Sequence, residues 1–210
     1  MALPRKGQER GEKDQVRSFI CIEIPRSIQS RLDELQQKLR TIGADVGWVK
    51  TSNIHLTLKF LGDVAQSRIA AVRSAIAKAC EGQGPIELVV AGTGAFPSLR
   101  NPRVLWVGLP AIPETLQQLQ KTIEDQLEHE EFPRETKPFS PHLTLGRIRS
   151  ARKTAPLTDA LTREGFASIG FVANRITLMR SQLSPGGSIY TPLAEIPLAR
   201  PTSVHLAPSL

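Results

Sequence analysis

The chain has 210 residues, enough for one sizeable core, and its 40 % hydrophobic and 22 % charged content is ordinary for a globular protein. No apolar run nears the ~20 residues that a membrane-spanning helix needs. Two cysteines, Cys21 and Cys80, form no CxxC pair or zinc-type cluster and read as reduced thiols of a cytoplasmic protein, while a net charge of +7 and a pI of about 9.8 favour a polyanionic partner.

Residues 1–15 are charged and lack an apolar stretch, so they read as a flexible basic arm rather than a secretory signal. Phe19–Ile24 predicts a strand closed by Pro25. Ser27 offers an N-cap, Ile28, Leu32, Leu35, Leu39 and Ile42 follow at helical spacing, and Gly43 supplies the stop. After a turn at Thr51–Asn53 comes a strand over Ile54–Leu61. Ile69, Val72, Ile76 and Ala79 mark a second helix, and Ile86–Val90 another strand.

Phe96–Arg103 is rich in turn residues and cations, the natural connector between two halves. Val104–Leu109 then predicts a strand. A helix carries Ile112, Leu116, Leu119, Ile123 and Leu127, with Pro113 near its start. His142–Ile148 is a strand and Leu157–Leu161 a short helix. Ile169–Val172, Ile176–Met179 and Ile189–Ile196 complete the strands, with Gly186-Gly187 as a hairpin turn and residues 199–210 as a flexible tail.

The same order of elements thus occurs twice, over roughly 16–95 and 103–198. Residues 16–198 are expected to form one bilobal domain, its two halves related by a pseudo-twofold axis around a cleft.

One four-residue word recurs within that pattern: His-Leu-Thr-Leu at His55–Leu58 and at His142–Leu145. Strand alternation puts His55, Thr57 and Lys59 on one face, with Leu56, Leu58 and Phe60 on the core face. His142 and Thr144 share a face likewise. Strict alternation turns Arg147 toward the core, so a distortion at Gly146 or the strand end must re-aim it.

Two imidazoles and two hydroxyls in one cleft suit phosphodiester chemistry. One histidine takes a proton from the attacking oxygen and the other gives one to the leaving oxygen. The threonines donate to the non-bridging oxygens, and Lys59, Arg100, Arg103 and Arg147 are candidate cations. Neither motif is flanked by paired carboxylates, so no metal or other cofactor is expected.

Elsewhere, Trp48 and Trp106 read as core or base-stacking residues, Trp106 as the more packed. Tyr190 lines the cleft or packs in a strand, and His129 and His205 read as solvated.

These residues resemble the 2H phosphoesterase superfamily, defined by two His-x-Thr-x motifs. Gly47–Val49 with Asn53–Gly62, Gly94–Pro97 with Arg103–Gly108, Phe139–Arg147, and Ser181–Gly187 with Tyr190-Thr191 are similar to the bacterial and archaeal RNA 2′,3′-cyclic phosphodiesterase branch, historically called 2′-5′ RNA ligase. The similarity runs from about Val16 to Leu198.

The resemblance implies an α+β bilobal fold of two mostly antiparallel sheets with outer helices around a central cleft. It implies as partner an RNA or nucleotide with a terminal 2′,3′-cyclic phosphate, opened to a 2′-phosphomonoester. By the same resemblance His55 is the general acid, His142 the general base, Thr57 and Thr144 hold phosphate oxygens, and Arg147 is the cation after the second motif. Pseudo-symmetry lets either histidine serve either side. A monomer without membrane attachment is expected. Ligation of RNA ends through a 2′-5′ link and a non-catalytic RNA-binding module are the competing functions.

Overall fold

The computed structural model describes residues 14–185 and 187–199. Apart from their innermost residues, the expected arm over 1–15 and tail over 199–210 lie outside this range, as does His205.

The chain runs β1 (Gln15–Glu23), α1 (Arg26–Arg40), β2 (Val46–Trp48), β3 (His55–Ala65), α2 (Ile69–Cys80) and β4 (Ile86–Pro97). There follow β5 (Pro102–Gly108), α3 (Glu114–His129), β6 (His142–Ile148), α4 (Thr154–Glu164), β7 (Ile169–Ala173), β8 (Arg175–Ser184) and β9 (Gly187–Pro197). The short β2 is the strand that periodicity does not reveal. The N-terminus of α1 differs from expectation: the cap is Pro25, whose extended backbone turns its carbonyl toward the amides of Ile28 and Gln29, at 3.0 and 3.1 Å. Proline has no N–H to leave unpaired there, and Ser27 falls inside the first turn.

All strand pairs are antiparallel, in the order β7-β4-β5-β6-β3-β1-β8-β9, with β2 also on β6. Two four-stranded groups meet where β3 touches β6, at the single pair Leu56 and Leu143. The sequence halves exchange strands across this line. β4, from the first half, pairs with β5 and β7, while β8 and β9 join β1.

Phe96–Arg103 is therefore not a connector between lobes. It is the tip of the β4–β5 hairpin, with Phe96 opposite Val104 and Pro97 opposite Pro102. The apolar alternation of β4 stops at Gly92, which is left extra between Ala91 and Thr93, and it is pairing with β5 that extends the strand to the turn.

The helices cover one face of the sheet. Leu56, Leu58, Leu143 and Leu145 meet the stripes of α1 (Ile28, Leu32, Leu35, Leu39) and α3 (Leu116, Leu119, Ile123, Leu127) in one core. The opposite face carries a small apolar group of Phe19, Cys21 and Met179 with Tyr190 against it. Both cysteines are free and buried, and burial pushes the Cys80 thiol up to about 11. Among the described residues no helix is long and apolar enough to cross a membrane.

Candidate active site

The two motif strands alternate only as far as the second leucine. In β3, Leu58 and Lys59 are both buried and Phe60 is 67 % exposed. Opposite, Ile20 faces Lys59 and Cys21 faces Thr57, which leaves Leu58 as the extra residue of a β-bulge. β6 repeats the distortion against β5. Leu105 faces Gly146 and Trp106 faces Thr144, leaving Leu145 extra. Beyond each bulge the side chains change face.

This corrects the alternation for Lys59 and Phe60 and explains Arg147. Lys59 does not join His55 and Thr57. It turns to the helix side, where its Nζ donates to Glu124 Oε2 at 2.5 Å and to the carbonyl of Pro133 at 2.8 Å. Phe60 takes the cleft face instead of the core. Arg147, the matching position of the second copy, is likewise aimed at the cleft, re-directed one residue earlier than Gly146. A Cβ on Gly146 would come within 2.7 Å of Val46 Cγ1, so β2 occupies the space that Lys59 fills in the first copy.

Each bulge is braced by a buried polar residue at the eleventh position of a helix, Glu124 in α3 and Gln36 in α1. Glu124 also accepts from Gln120 Nε2 at 3.2 Å. Gln36 Nε2 donates to the Leu145 carbonyl at 2.8 Å and to the Val49 carbonyl at 2.9 Å, and the Val49 amide adds a bond to Leu145 at 3.0 Å.

The histidines are oriented by one shared device. His55 Nδ1 lies 2.8 Å from the Asn53 carbonyl, and His142 Nδ1 lies 2.7 Å from the Ser140 carbonyl. A carbonyl only accepts, so each Nδ1 carries a hydrogen and each Nε2 is left for proton transfer. Asn53 is itself pinned, its amide donating to the Ser188 carbonyl at 2.7 Å.

Aromatic rings hold the imidazoles in place. Phe19 stacks on His55 with centroids 4.6 Å apart, and Tyr190 meets it edge-on at 5.4 Å. Phe96 meets His142 edge-on at 4.9 Å and is backed by Trp106 at 5.3 Å. The Trp106 indole fills the space above two glycines: a Cβ on Gly94 or Gly108 would lie 2.3 or 2.9 Å from its ring. Its Nε1 is buried, with no hydrogen-bond partner among the described residues.

Burial lowers both histidines from their ordinary value, against the raising effect of the carbonyl each ring bonds. Each lies near a positive or titrating neighbour that lowers it further, His142 for His55 and Arg147 for His142.

A cavity of about 410 Å³ brings His55, Thr57, Thr144 and Arg147 together, with Phe60, Trp48 and Tyr190 in its wall. His142 is not among the residues that line this cavity; it stands two residues before Thr144 on the same strand face, near enough for its charge to lower His55. Trp48 is half-buried, with the Arg40 guanidinium 5.1 Å from its ring.

Arg100 and Arg103 are not in this cavity. They line a neighbouring depression. His129 is exposed at the end of α3. Among the described residues no group of three His, Cys, Asp or Glu side chains is placed to hold a metal ion.

Three positions of the candidate site escaped sequence reasoning: Asn53 and Ser140, whose carbonyls orient the histidines, and Arg149, which lines the cavity beyond Arg147. Their signal was positional. Asn53 and Ser140 each stand two residues before a motif histidine, and Arg149 two after Arg147.

The LigT-like phosphoesterase family model matches the chain twice, over residues 22–106 and 107–190, once for each motif. The RNA 2′,3′-cyclic phosphodiesterase of Aeropyrum pernix is 34 % identical over 170 residues, 80 % of this chain and 96 % of that protein. The RNA 2′,3′-cyclic phosphodiesterase of Methanothermobacter thermautotrophicus is 30 % identical over 177 residues, 84 % of this chain and 95 % of the relative. The crystal structure of E. coli LigT complexed with 3′-AMP superposes with a TM-score of 0.74 at 27 % identity, covering 89 % of this chain and 99 % of that one. The chain belongs to the LigT-like phosphoesterase family, a family of phosphodiesterase enzymes.

Proposed function

We propose that the protein hydrolyses a terminal 2′,3′-cyclic phosphate on RNA or a nucleotide to a 2′-phosphomonoester, by two-histidine acid–base catalysis without a metal. One observation carries this: two His-Thr pairs on adjoining strands, each histidine held by the carbonyl two residues before it so that Nε2 is free. The names of the relatives supply the substrate class.

In the reaction, His142 Nε2 takes a proton from water as the water oxygen bonds to phosphorus. The P–O3′ bond breaks, and O3′ takes the proton held on His55 Nε2. The product carries a 2′-phosphate and a 3′-hydroxyl, and solvent exchange resets both rings. Thr57 and Thr144 donate to the non-bridging oxygens, and Arg147 offsets the charge that builds there.

One feature supports this division of roles: the permanent positive charge of Arg147 opposes protonation of His142 and favours it as base.

The test is turnover of 2′,3′-cyclic AMP by protein treated with EDTA. Undiminished hydrolysis is expected. No turnover under any condition would remove the proposal, and turnover that EDTA abolishes and a divalent cation restores would remove its metal independence.

A further inference from the structure

The cleft continues into a second depression of about 430 Å³, and Arg149 belongs to the walls of both. Arg147 and Lys50 lie on the cleft side, Arg100 and Arg103 on the far side, at the tip of the β4–β5 hairpin. Among the described residues neither wall contains an aspartate or glutamate. Among the described residues none of these five cations forms an ion pair.

Their positions are built rather than scattered. Arg147 and Arg149 are two apart at the end of an extended strand, ~6–7 Å along the chain. The Arg149 side chain lies across Gly47, where a Cβ would stand 3.0 Å from its Nε, so a larger residue there would crowd the guanidinium. Asn101, Ser150 and Thr154 add neutral polar groups to the far depression.

A row of unpaired cations leading out of a phosphate cleft fits a linear polyanion longer than one nucleotide. We propose that this row is a track for the RNA body: the nucleotides upstream of the cyclic end leave the cleft past Arg149, and their phosphates lie on Arg103 and Arg100. This rests on the cyclic phosphodiesterase reading above and deepens it, because it names single-stranded RNA over the mononucleotide as the preferred substrate.

The test compares the wild-type chain with the double variant Arg100→Ala/Arg103→Ala. The probes are 2′,3′-cyclic AMP and a short single-stranded RNA oligomer ending in 2′,3′-cyclic phosphate. Turnover is measured for both, and oligomer binding is followed by fluorescence anisotropy over a salt series.

The wild type is expected to prefer the oligomer in kcat/KM. In the variant the log–log salt slope of oligomer binding should fall by about 1.4, with binding weakened about 25-fold near 0.1 M salt, the counterion-release value for two lost contacts. Hydrolysis of cyclic AMP should stay unchanged. An unaltered slope, or equal loss on both substrates, would overturn the track. A wild type inert on both substrates, with the slope still falling in the variant, would remove the phosphodiesterase reading and leave the track standing.

Discussion

The two motif strands share the features that the proposed acid–base step uses and differ in what surrounds them. Both β3 and β6 present His-x-Thr, both carry a bulge at the second leucine, and both lock the imidazole through the carbonyl two residues earlier. After the bulge they part. The cleft receives Phe60 from one strand and Arg147 from the other. On the helix side one copy holds a buried Lys59–Glu124 pair, while the other has Gly146 under β2 and a neutral brace, Gln36. The two strands are alike in frame and unequal in their flanks: one aromatic, one cationic.

Removing the shared part should cost most. His55→Ala and His142→Ala are each expected to lower kcat/KM on cyclic AMP by ~10²–10⁴, and the double variant should be little worse than either single one. Steady-state kinetics would reveal unequal roles if one single variant retained near-normal rates.

The braces come next, because one is charged and the other is not. Glu124→Ala leaves the Lys59 ammonium buried and unpaired, a loss of about 3–5 kcal/mol in urea unfolding. Lys59→Met combined with Glu124→Leu should recover most of it. Gln36→Leu should cost less, about 1–3 kcal/mol, since the Leu145 carbonyl keeps the Val49 amide. Equal losses would contradict the contrast.

The flanks that face the cleft are expected to matter less than the histidines. Arg147→Gln should reduce kcat/KM roughly 10- to 100-fold, the worth of a hydrogen bond to a charged oxygen, whereas Phe60→Ala should cost less than that.

The smallest effect is a shift along the pH axis. Both histidines sit below their ordinary ~6.5, so the kcat/KM maximum is expected below that pH, with activity falling toward pH 8 as His55 loses its proton. In Arg147→Gln the loss of a positive charge raises His142. The limb on which the base gains its proton then moves to higher pH, and the other limb stays in place.

Most of this frame was legible in the sequence. The recurring His-Leu-Thr-Leu, the helical stripes and the flanking words led to the correct family and fold class, because period-2 and period-3.6 patterns are local properties. Two kinds of information were not local. A bulge exists only against a partner strand, so the turning of Lys59 to Glu124 and of Phe60 to the cleft could not be read from β3 alone. Strand exchange between the halves is also a matter of pairing, and it made a hairpin tip of what looked like a connector. Arg147 is the instructive middle case: alternation showed that something must re-aim it, and the bulge at Leu145 is that something.

The most direct measurement is the identity of the product formed from 2′,3′-cyclic AMP in EDTA, by chromatography against both standards. The expected product is 2′-AMP alone, because the proposed mechanism has His55 give its proton to O3′. A 3′-AMP product would contradict it and exchange the sides on which the two histidines work.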